Sequence, residues 1–301
     1  MVDLSALYVS AIVNDCEGTL SSTSSQHTEG SFEGARGTQI YYQTWTPPKK
    51  PKAILVLAHG QGDHSGRYAH VADYLTKRGF VLWTCDHRGH GKSGGKRGHT
   101  DSFDDYLADL GQMIRIAKDH YPGIKTFLMG QSLGGLVVLD YAERHGTDLA
   151  GIVVTSPLLG LKMKVPSWKT FLGKTLSGIN PTFSLKTGLD ANLLTHDREI
   201  VQRYVNDPLV HGIATARFYT EFRRAQDETM RSADKLTLPC LVIQGGADGI
   251  VDPDVATEFY KRIASSDKTL KVYDGFYHES LNEIGKETVL ADIDNWLAAR
   301  T

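Results

Sequence analysis

The segment TFLMGQSLGGLVV, residues 126–138, decides the fold. An apolar run of strand length stops at Gly130, Ser132 follows between glycines, and apolar residues resume after Gly134. A Gly-x-Ser-x-Gly pattern between a strand and a helix is typical of a sharp turn that holds its serine in strained geometry above a parallel sheet. We expect side chains at Gly130 and Gly134 to collide with neighbouring backbone. The alternative interpretation of this pattern is a helix that begins with an N-cap serine near glycines.

Outward from this turn, short apolar runs alternate with amphipathic segments. The strand-like runs are AILVLAH, FVLWTCD, KTFLMG, AGIVVTSP, PCLVIQGGAD and TLKVYDG. Helical spacing of apolar residues marks HVADYLTKRG, DDYLADLGQMIRIAKDHYPG, SLGGLVVLDYAERHG and VLADIDNWLAAR. Continuous apolar strands that alternate with helices predict an α/β fold, with a mostly parallel central sheet covered on both faces.

The alternation fails between about Pro157 and Ala233, where helical segments and scattered prolines occur without a convincing apolar strand. A long insertion in a regular α/β pattern predicts a helical cap over the open end of the sheet. The stretch 14–31 is polar and rich in Ser and Thr, which is typical of a flexible segment. The predicted organisation is a flexible N-terminal lead-in at 1–30, an α/β core at 31–156 and 233–301, and the cap at 157–232.

Composition and charge exclude several classes of protein. A formal net charge of −2, with Lys and Arg spread along 301 residues, argues against nucleic-acid binding, which needs a concentrated basic face. Cys16, Cys85 and Cys240 are too few and too scattered for a disulfide framework, and we expect Cys85 and Cys240 to be buried reduced thiols. No apolar stretch is long enough to span a bilayer, and the start, MVDLSALYVSAIVNDC, has no Lys or Arg before its apolar part. We therefore predict a cytoplasmic location.

A serine hydroxyl is a weak nucleophile near neutral pH, so Ser132 needs a base that a carboxylate orients. In a sheet of this kind the partners follow the serine in the order acid, then histidine. Asp248 follows LVIQGGA and His278 follows TLKVYDGFY, both at predicted strand ends. Asp252 and Asp274 are rival acids, but Asp248 ends the strand-to-turn segment GGAD, whereas Asp252 precedes a proline as a helix-initiating residue would. The sequence thus predicts a catalytic triad of Ser132, Asp248 and His278.

The oxyanion formed by such a triad needs two hydrogen-bond donors. HGQGDH, residues 59–64, follows the strand AILVLA, where this architecture provides one backbone N–H, and the other comes from the residue after the nucleophile. We assign the donors to Gln61 and Leu133. Glycines at 60 and 62 let the backbone approach a developing negative charge. Because no part of this machinery is missing, a non-catalytic binding protein of the same fold is the weaker interpretation.

The loop DHRGHGKSGGKRGHT contains several residue types that bind metals: Asp86, His87, His90 and His99. Catalytic zinc requires three converging ligands in fixed geometry, whereas this segment is a Gly-rich loop after a strand. We expect no bound metal here, and the triad mechanism requires neither a metal nor a cofactor.

A family resemblance rests on seven segments: HGQGDHSGRYAHVADYL, DHRGHGKSGGKRG, MGQSLGGLVVLDYA, VTSPLL, YVNDPL, LVIQGGADGIVDP and DKTLKVYDGFYHE. Together they resemble the monoacylglycerol lipases and the related lysophospholipases, from about residue 33 to the C-terminus. The resemblance implies an α/β-hydrolase with a helical cap that cleaves the ester of a single-chain acylglycerol to fatty acid and glycerol through an acyl-serine. It supports the same triad and oxyanion donors. A lysophospholipase or a general carboxylesterase with this triad is the alternative.

The resemblance also implies that Asp63, Arg67 and Tyr204 line the alcohol end of the site, because DHSGR and YVNDPL match family segments there. Arg67 as a brace for Asp63, and Tyr204 as cap packing, are equally open interpretations. The chain departs from the family at Gln131, where many relatives have His before the nucleophile, and at Leu281, where some carry a second His. Both positions are candidates for contact with glycerol, so the triad is better defined than the head-group preference.

Within the predicted cap, PSWKTFLGKTLSGI has an apolar stripe at near-helical spacing: Trp168, Phe171, Leu172, Leu176 and Ile179. Lysines surround it at 162, 164, 169 and 174. Such a stripe packs on its own core, lines an acyl tunnel or faces lipid, since aromatic residues with lysines suit a membrane interface. We predict that it receives a single acyl chain and contacts a membrane or lipid droplet peripherally.

Overall fold

The apolar runs of the sequence form the central sheet of the molecule, whose computed structural model describes residues 25–301. Its strands lie in the order β1-β2-β4-β3-β5-β6-β9-β10, and a separate pair is formed by β7 and β8. The bounds are β1 Gln26–Glu33, β2 Gln39–Thr46, β3 Ala53–Ala58, β4 Phe80–Cys85, β5 Thr126–Gln131, β6 Gly151–Thr155, β7 Ser184–Lys186, β8 Ile213–Thr215, β9 Cys240–Gly245 and β10 Lys268–Tyr273. Along the sheet order from β4 to β10, neighbouring strands are parallel to each other. Strands β1 and β2 are added at the β4 edge in antiparallel pairing. The predicted mostly parallel α/β-hydrolase sheet is confirmed.

Helices cover both faces of this sheet because its central strands are apolar on both sides. The helices are α1 Ala69–Thr76, α2 Asp104–His120, α3 Leu133–His145, α4 Ser167–Ile179, α5 Arg198–Asn206, α6 Ala216–Arg231, α7 Pro253–Arg262 and α8 Lys286–Ala298. In β3, Leu55 and Leu57 pack toward the cluster that contains α1 and α8, whereas Ile54 and Val56 pack toward α2, α3 and α7. Alternate side chains of one strand thus serve two cores.

The N-terminal boundary of the fold lies earlier than the sequence predicts. Strand β1 begins at Gln26 and pairs with β2 from Gln26 opposite Thr46 to Glu33 opposite Gln39, so the flexible lead-in predicted for 1–30 is wrong for 26–30. This edge strand is mostly exposed and polar, so it has no apolar signal. The remainder of the predicted lead-in, 1–24, lies outside the described residues, as does Cys16.

The two described cysteines behave as expected from the sequence. Cys85 ends β4, Cys240 begins β9, and both thiols are free and buried. Burial raises the pKa of Cys240 to about 12, so its thiol stays protonated at physiological pH.

The segment between β6 and β9, which we call the cap, contains the helices α4, α5 and α6 and the short pair β7 and β8. The sequence indicated helices here but not this antiparallel pair, whose strands of three residues are too short to show a pattern. Helix α4 packs on α6, where Ser177 Oγ lies 2.7 Å from Thr220 Oγ1. In the stretch 25–301, no helix combines the length and the apolar character needed to cross a bilayer.

Candidate active site

Ser132 occupies a strained turn between β5 and α3. Its φ is 54° and its ψ is −114°, a conformation that costs a non-glycine residue about 1–3 kcal/mol. A Cβ added at Gly130 would lie 2.3 Å from Gly134 O, and one added at Gly134 would lie 2.0 Å from Ala58 O. The predicted collisions at both glycines are therefore confirmed. Only glycine lets the turn pass this close to β3.

Backbone hydrogen bonds hold Ser132 in this strained conformation. Its N–H donates to Thr155 O at 3.0 Å, and its carbonyl accepts from Leu136 N and Leu158 N at 3.1 and 2.9 Å. The Ser132 side chain makes no capping bond to α3, so the alternative interpretation as an N-cap serine is not what the geometry shows. The hydroxyl is left for another role.

His278 and Asp248 meet in the loops that follow β10 and β9. His278 Nδ1–H donates to Asp248 Oδ2 at 2.8 Å, and both side chains are buried. Asp248 Oδ1 accepts from Ile250 N at 2.8 Å and Val251 N at 3.0 Å. Burial alone would raise the pKa of Asp248, but the adjacent His278 and these donors hold it below its ordinary value. The carboxylate is therefore charged and fixed against the imidazole.

The rival acids lie elsewhere. Asp252 is the N-cap of α7 and accepts from Asp254 N at 3.1 Å, as its place before a proline indicated. Asp274 is exposed in the loop after β10. The structure brings Asp248, and neither rival, to His278.

An apolar cavity opens at Ser132 and His278, both of which line it. Gln61, Asp63, Gln131, Tyr204 and Glu279 are polar residues that also line the cavity. Much of the lining comes from the cap and is apolar, including Met163, Val165, Phe183, Leu185, Phe218 and Phe222, although Lys169, Lys186, Thr187, His211 and Thr215 of the cap line it as well. The cavity therefore has a mostly apolar wall with polar groups, among them the candidate nucleophile and base.

The five residues of the predicted acyl-chain stripe do not line this cavity, so that assignment is wrong. Trp168, Phe171 and Ile179 are 58%, 72% and 79% exposed, and Leu172 and Leu176 are partly buried outside the lining. The side of α4 that does line the cavity carries Lys169 and Gly173. A Cβ added at Gly173 would lie 3.0 Å from Tyr219 Cδ1, so close packing against α6 selects a small residue there.

The loop after β3 lies against Ser132. A Cβ added at Gly60 would be 3.4 Å from Ser132 Cβ, and the next residue, Gln61, lines the cavity. Leu133, whose N–H is the second predicted donor, is the buried first residue of α3. Both predicted oxyanion donors thus belong to segments in contact with Ser132.

His59 fixes the peptide that carries the Gln61 N–H. His59 Nδ1–H donates to Gly60 O at 2.7 Å, and His59 Nε2 accepts from His87 N–H at 2.8 Å. Burial lowers the pKa of His59 to about 3, so the ring is neutral and this tautomer is defined. Because C=O and N–H point in opposite directions in a trans peptide, holding Gly60 O also fixes the direction of the Gln61 N–H.

Arg67 is a brace. Its guanidinium donates to Glu279 at 2.8 and 2.7 Å, pairs with Asp63 at 3.0 Å and lies 4.8 Å from the Tyr204 ring centroid. Asp63 and Tyr204 line the cavity, whereas Arg67 lies behind them. Of the two interpretations, the brace for Asp63 is the one the geometry matches, and direct contact of Arg67 with an alcohol is not.

Gln131 and Leu281, the two departures from the family pattern, have different surroundings. Gln131 lines the cavity, donates through Nε2 to His278 O at 3.1 Å and accepts from Thr155 Oγ1. Leu281 is buried in the core under α1 and α8 and does not line the cavity. Gln131 therefore also holds the backbone of His278, and Leu281 is not placed to contact glycerol.

Sequence reasoning missed two carboxylates near His278. Glu279 lines the cavity and holds Arg67, and only its position directly after the candidate histidine could have drawn attention to it. Glu283 accepts from Tyr277 N at 3.2 Å, from His196 N at 2.9 Å and from Thr195 Oγ1 at 3.0 Å. It ties the loop that carries His278 to the cap.

The residues considered as metal ligands are bound to protein atoms. Asp86 accepts from Ser65 N at 2.7 Å and Lys92 N at 2.6 Å, and His87 Nε2–H donates to His59 O at 3.1 Å. His99 Nδ1 lies 2.9 Å from Thr215 Oγ1. Among residues 25–301, no three His, Cys, Asp or Glu side chains converge in a metal-binding arrangement.

Comparisons with known proteins identify the family to which this chain is similar. The family model described as serine aminopeptidase S33 (Hydrolase_4) matches residues 49–285. The monoacylglycerol lipase of Mycolicibacterium smegmatis is 35% identical over 286 residues, which cover 93% of this chain and 99% of the relative. The crystal structure of the Paleococcus ferrophilus monoacylglycerol lipase is 34% identical, with a TM-score of 0.79 and coverage of 87% and 99%. A soluble variant of the Saccharomyces cerevisiae monoglyceride lipase, in complex with a substrate analogue, is 25% identical, with a TM-score of 0.80 and coverage of 93% and 96%.

Proposed function

Because this chain belongs to the serine aminopeptidase S33 (Hydrolase_4) family of hydrolases, together with monoacylglycerol lipases that match most of its length, we propose that it hydrolyses monoacylglycerols to a fatty acid and glycerol. One observation carries the substrate class: Ser132 and His278 line a mostly apolar cavity that also has polar groups in its wall. That arrangement fits an ester with one apolar chain and a small polyol. We propose that Asp63, Tyr204 and Glu279, which line the cavity, contact the glycerol hydroxyls.

In the proposed mechanism, Ser132 Oγ attacks the ester carbonyl while His278 Nε2 takes its proton. The carbonyl electron pair becomes an oxyanion, which accepts hydrogen bonds from the backbone N–H groups of Gln61 and Leu133. Collapse of this intermediate breaks the bond to glycerol, and His278 gives its proton to the leaving alkoxide. Water then attacks the acyl-serine with His278 again as base, and the fatty acid leaves. Asp248 holds the tautomer of His278 and stabilises the imidazolium.

The cavity should make turnover depend on the length of the acyl chain. Each buried methylene contributes about 0.8 kcal/mol, so kcat/KM should rise roughly fourfold per methylene until the cavity is full. We expect the cavity to accept one acyl chain, so diacylglycerols and triacylglycerols should be poor substrates. The experiment is a profile of the purified protein on monoacylglycerols, diacylglycerols, triacylglycerols, lysophospholipids and a soluble acetyl ester.

The variant Leu185→Trp tests the cavity directly, because Leu185 lies on β7 and lines its apolar part. A larger side chain there should lower kcat/KM for long-chain monoacylglycerols by at least about tenfold, which corresponds to two or more displaced methylenes. The acetyl ester, which needs only the triad and the oxyanion donors, should be turned over at the wild-type rate. Val205→Trp, at a 60% exposed position on α5, is the matched control in the cap.

Some outcomes would contradict the proposed function. Triacylglycerol turnover comparable to monoacylglycerol turnover would refute selection of a single chain. A strong preference for lysophospholipids would favour the lysophospholipase alternative, and a preference for short esters would favour a general carboxylesterase. Equal losses on long and acetyl esters in Leu185→Trp would show that the cavity does not hold the acyl chain.

We also propose that the outer face of α4 contacts lipid peripherally. Trp168, Phe171 and Ile179 form an exposed apolar patch, and the nearby lysines at 162, 164 and 174 are exposed as well. A helix with aromatic and aliphatic side chains next to lysines suits the headgroup region of an anionic membrane. The apolar stripe of α4 would then contact the lipid surface that supplies the substrate, while other cap residues line the cavity that receives the acyl chain.

Vesicle binding tests this contact. Burial of a Phe-sized side chain contributes about 1.5–3 kcal/mol, so the double variant Trp168→Ser and Phe171→Ser should bind anionic phospholipid vesicles at least about tenfold more weakly. The measurement is cosedimentation with vesicles, and Val272→Ser, at a 46% exposed position on β10, is the control. Unchanged vesicle binding by the double variant would exclude α4 as the contact surface.

A further inference from the structure

The loop that carries the proposed oxyanion donor is bonded to the cap. Gln61 Nε2–H donates to Ile213 O of β8 at 3.0 Å, and His211 N–H donates to Gly62 O at 3.0 Å. A Cβ added at Gly62 would lie 2.2 Å from His211 O, so the two segments are in tight contact. Two successive residues of the loop therefore bind one short stretch of the cap.

The far end of the Gln61 side chain is held as well. His90 Nε2 lies 3.1 Å from Gln61 Oε1 and His90 Nδ1 lies 2.9 Å from Arg88 O, and the neutral ring has one proton to donate to these two oxygens. The carboxamide of Gln61 thus lies between His90, in the Gly-rich loop after β4, and the cap strand β8. Its amide N–H is bonded to β8, and its oxygen lies against the His90 ring.

An anchor at this position has a physical purpose. Gln61 lies between Gly60 and Gly62, and glycines leave the backbone more freedom than any other residue. The bond from His59 to Gly60 O fixes only one side of the Gln61 peptide. A catalytic donor must point at the oxyanion within narrow limits of distance and angle. The second constraint comes from the side chain.

We propose that the Gln61 side chain is a positioning element that makes the geometry of the oxyanion hole depend on the cap. This inference rests on the proposed function, in which the Gln61 N–H is an oxyanion donor. The cap then has two separate tasks. Its apolar lining selects the chain, and its strand β8 holds part of the catalytic machinery in place.

The first test is Gln61→Met, which keeps the backbone N–H and the length of the side chain but removes the hydrogen bond to Ile213 O. Loss of one positioning hydrogen bond should lower kcat about three- to tenfold on the acetyl ester and on long-chain monoacylglycerols alike, with little change in KM.

The affinity for a trifluoromethyl ketone inhibitor measures the same oxyanion stabilisation. Ser132 Oγ adds to its carbonyl carbon, the proton passes to His278, and the carbonyl electron pair becomes an oxyanion. Its affinity should fall by the same factor as kcat.

The second test approaches the contact from the cap. A Cβ added at Gly98 would lie 2.1 Å from Ile213 O, so Gly98→Ala should displace this acceptor while Gln61 is intact. Gly98 has φ +63°, so the control is Gly123→Ala, where φ is +76° and no atom lies within 4 Å. Gly98→Ala should reproduce the loss in kcat, and Gly123→Ala should not. The double variant of Gln61→Met and Gly98→Ala should lose no more than the larger single loss, because both remove one interaction.

The outcomes separate this inference from the proposed function. Wild-type protein that is inactive on esters, or full activity of Ser132→Ala, would overturn the proposed function. Wild-type kcat in Gln61→Met, with Ser132→Ala inactive, would overturn only the role of Gln61. Equal kcat of Gly98→Ala and Gly123→Ala would also overturn that role, and this comparison stands even if Gln61→Met does not fold.

Discussion

Ser132→Ala is expected to lower kcat by about 10⁴ to 10⁶, since members of a triad act as a unit and removal of the nucleophile abolishes the covalent route. The fold should survive, because the Ser132 hydroxyl makes no capping bond to α3. A fluorophosphonate should label the wild-type protein once, at Ser132, and should leave the variant unlabelled. Peptide mass spectrometry after labelling measures both.

Ser156 provides a matched control for this experiment. It has a positive φ of 41°, like Ser132, and follows the neighbouring strand β6. Ser156→Ala should keep labelling and turnover. Full labelling of Ser132→Ala would show that another serine reacts and that the assignment of the nucleophile is wrong.

Asp248→Asn is expected to lower kcat by roughly 10⁴, because an amide in place of the carboxylate favours the wrong tautomer of His278. The variant should also change the pH dependence. Burial alone would lower the pKa of His278, but the charge of Asp248 and its hydrogen bond raise it above the ordinary value. His278 must be neutral to act as base, so wild-type kcat/KM should rise with pH through this raised pKa.

In Asp248→Asn the raising charge is lost while burial remains. The apparent pKa of His278 should therefore fall, and the acid limb of the kcat/KM profile should move to lower pH as the rate drops. Asp252→Asn and Asp274→Asn are the controls, and asparagine at 252 can still cap α7. A large loss in Asp252→Asn, or an acid limb that moves to higher pH in Asp248→Asn, would contradict the assignment of the acid.

The sequence predicts the turn, the acid and the base because each of these predictions depends on a short local sequence pattern. The collisions at Gly130 and Gly134 follow from two residues next to Ser132, and they occur as expected. Asp248 and His278 lie after strands whose apolar runs are visible in the sequence. Because parallel strands place their carboxyl ends at one edge of the sheet, strand order alone brings such residues together.

The features that the sequence does not predict depend mostly on contacts between residues far apart in the chain. A hydrophobic pattern identifies the side chains of α4 that share a face, but not what covers that face. In the structure Gly173 of α4 packs closely against Tyr219 of α6, a contact that the pattern of α4 alone does not reveal. Arg67 is likewise a brace because Glu279, 212 positions away, pairs with it. Strand β1 is missed because an exposed edge strand needs few apolar residues.

The strand order has a consequence for how the protein acquires activity during synthesis. Ser132 follows β5, near the middle of the chain, whereas His278 follows β10, which pairs with β9 at the far edge of the sheet. During synthesis Ser132, the proposed nucleophile, thus emerges long before His278, the proposed base. Pairings between such distant segments form slowly, because chain entropy is lost before the contacts form. Ester hydrolysis by the proposed triad should therefore be a late reporter of folding, because incomplete chains that end before β10 lack His278.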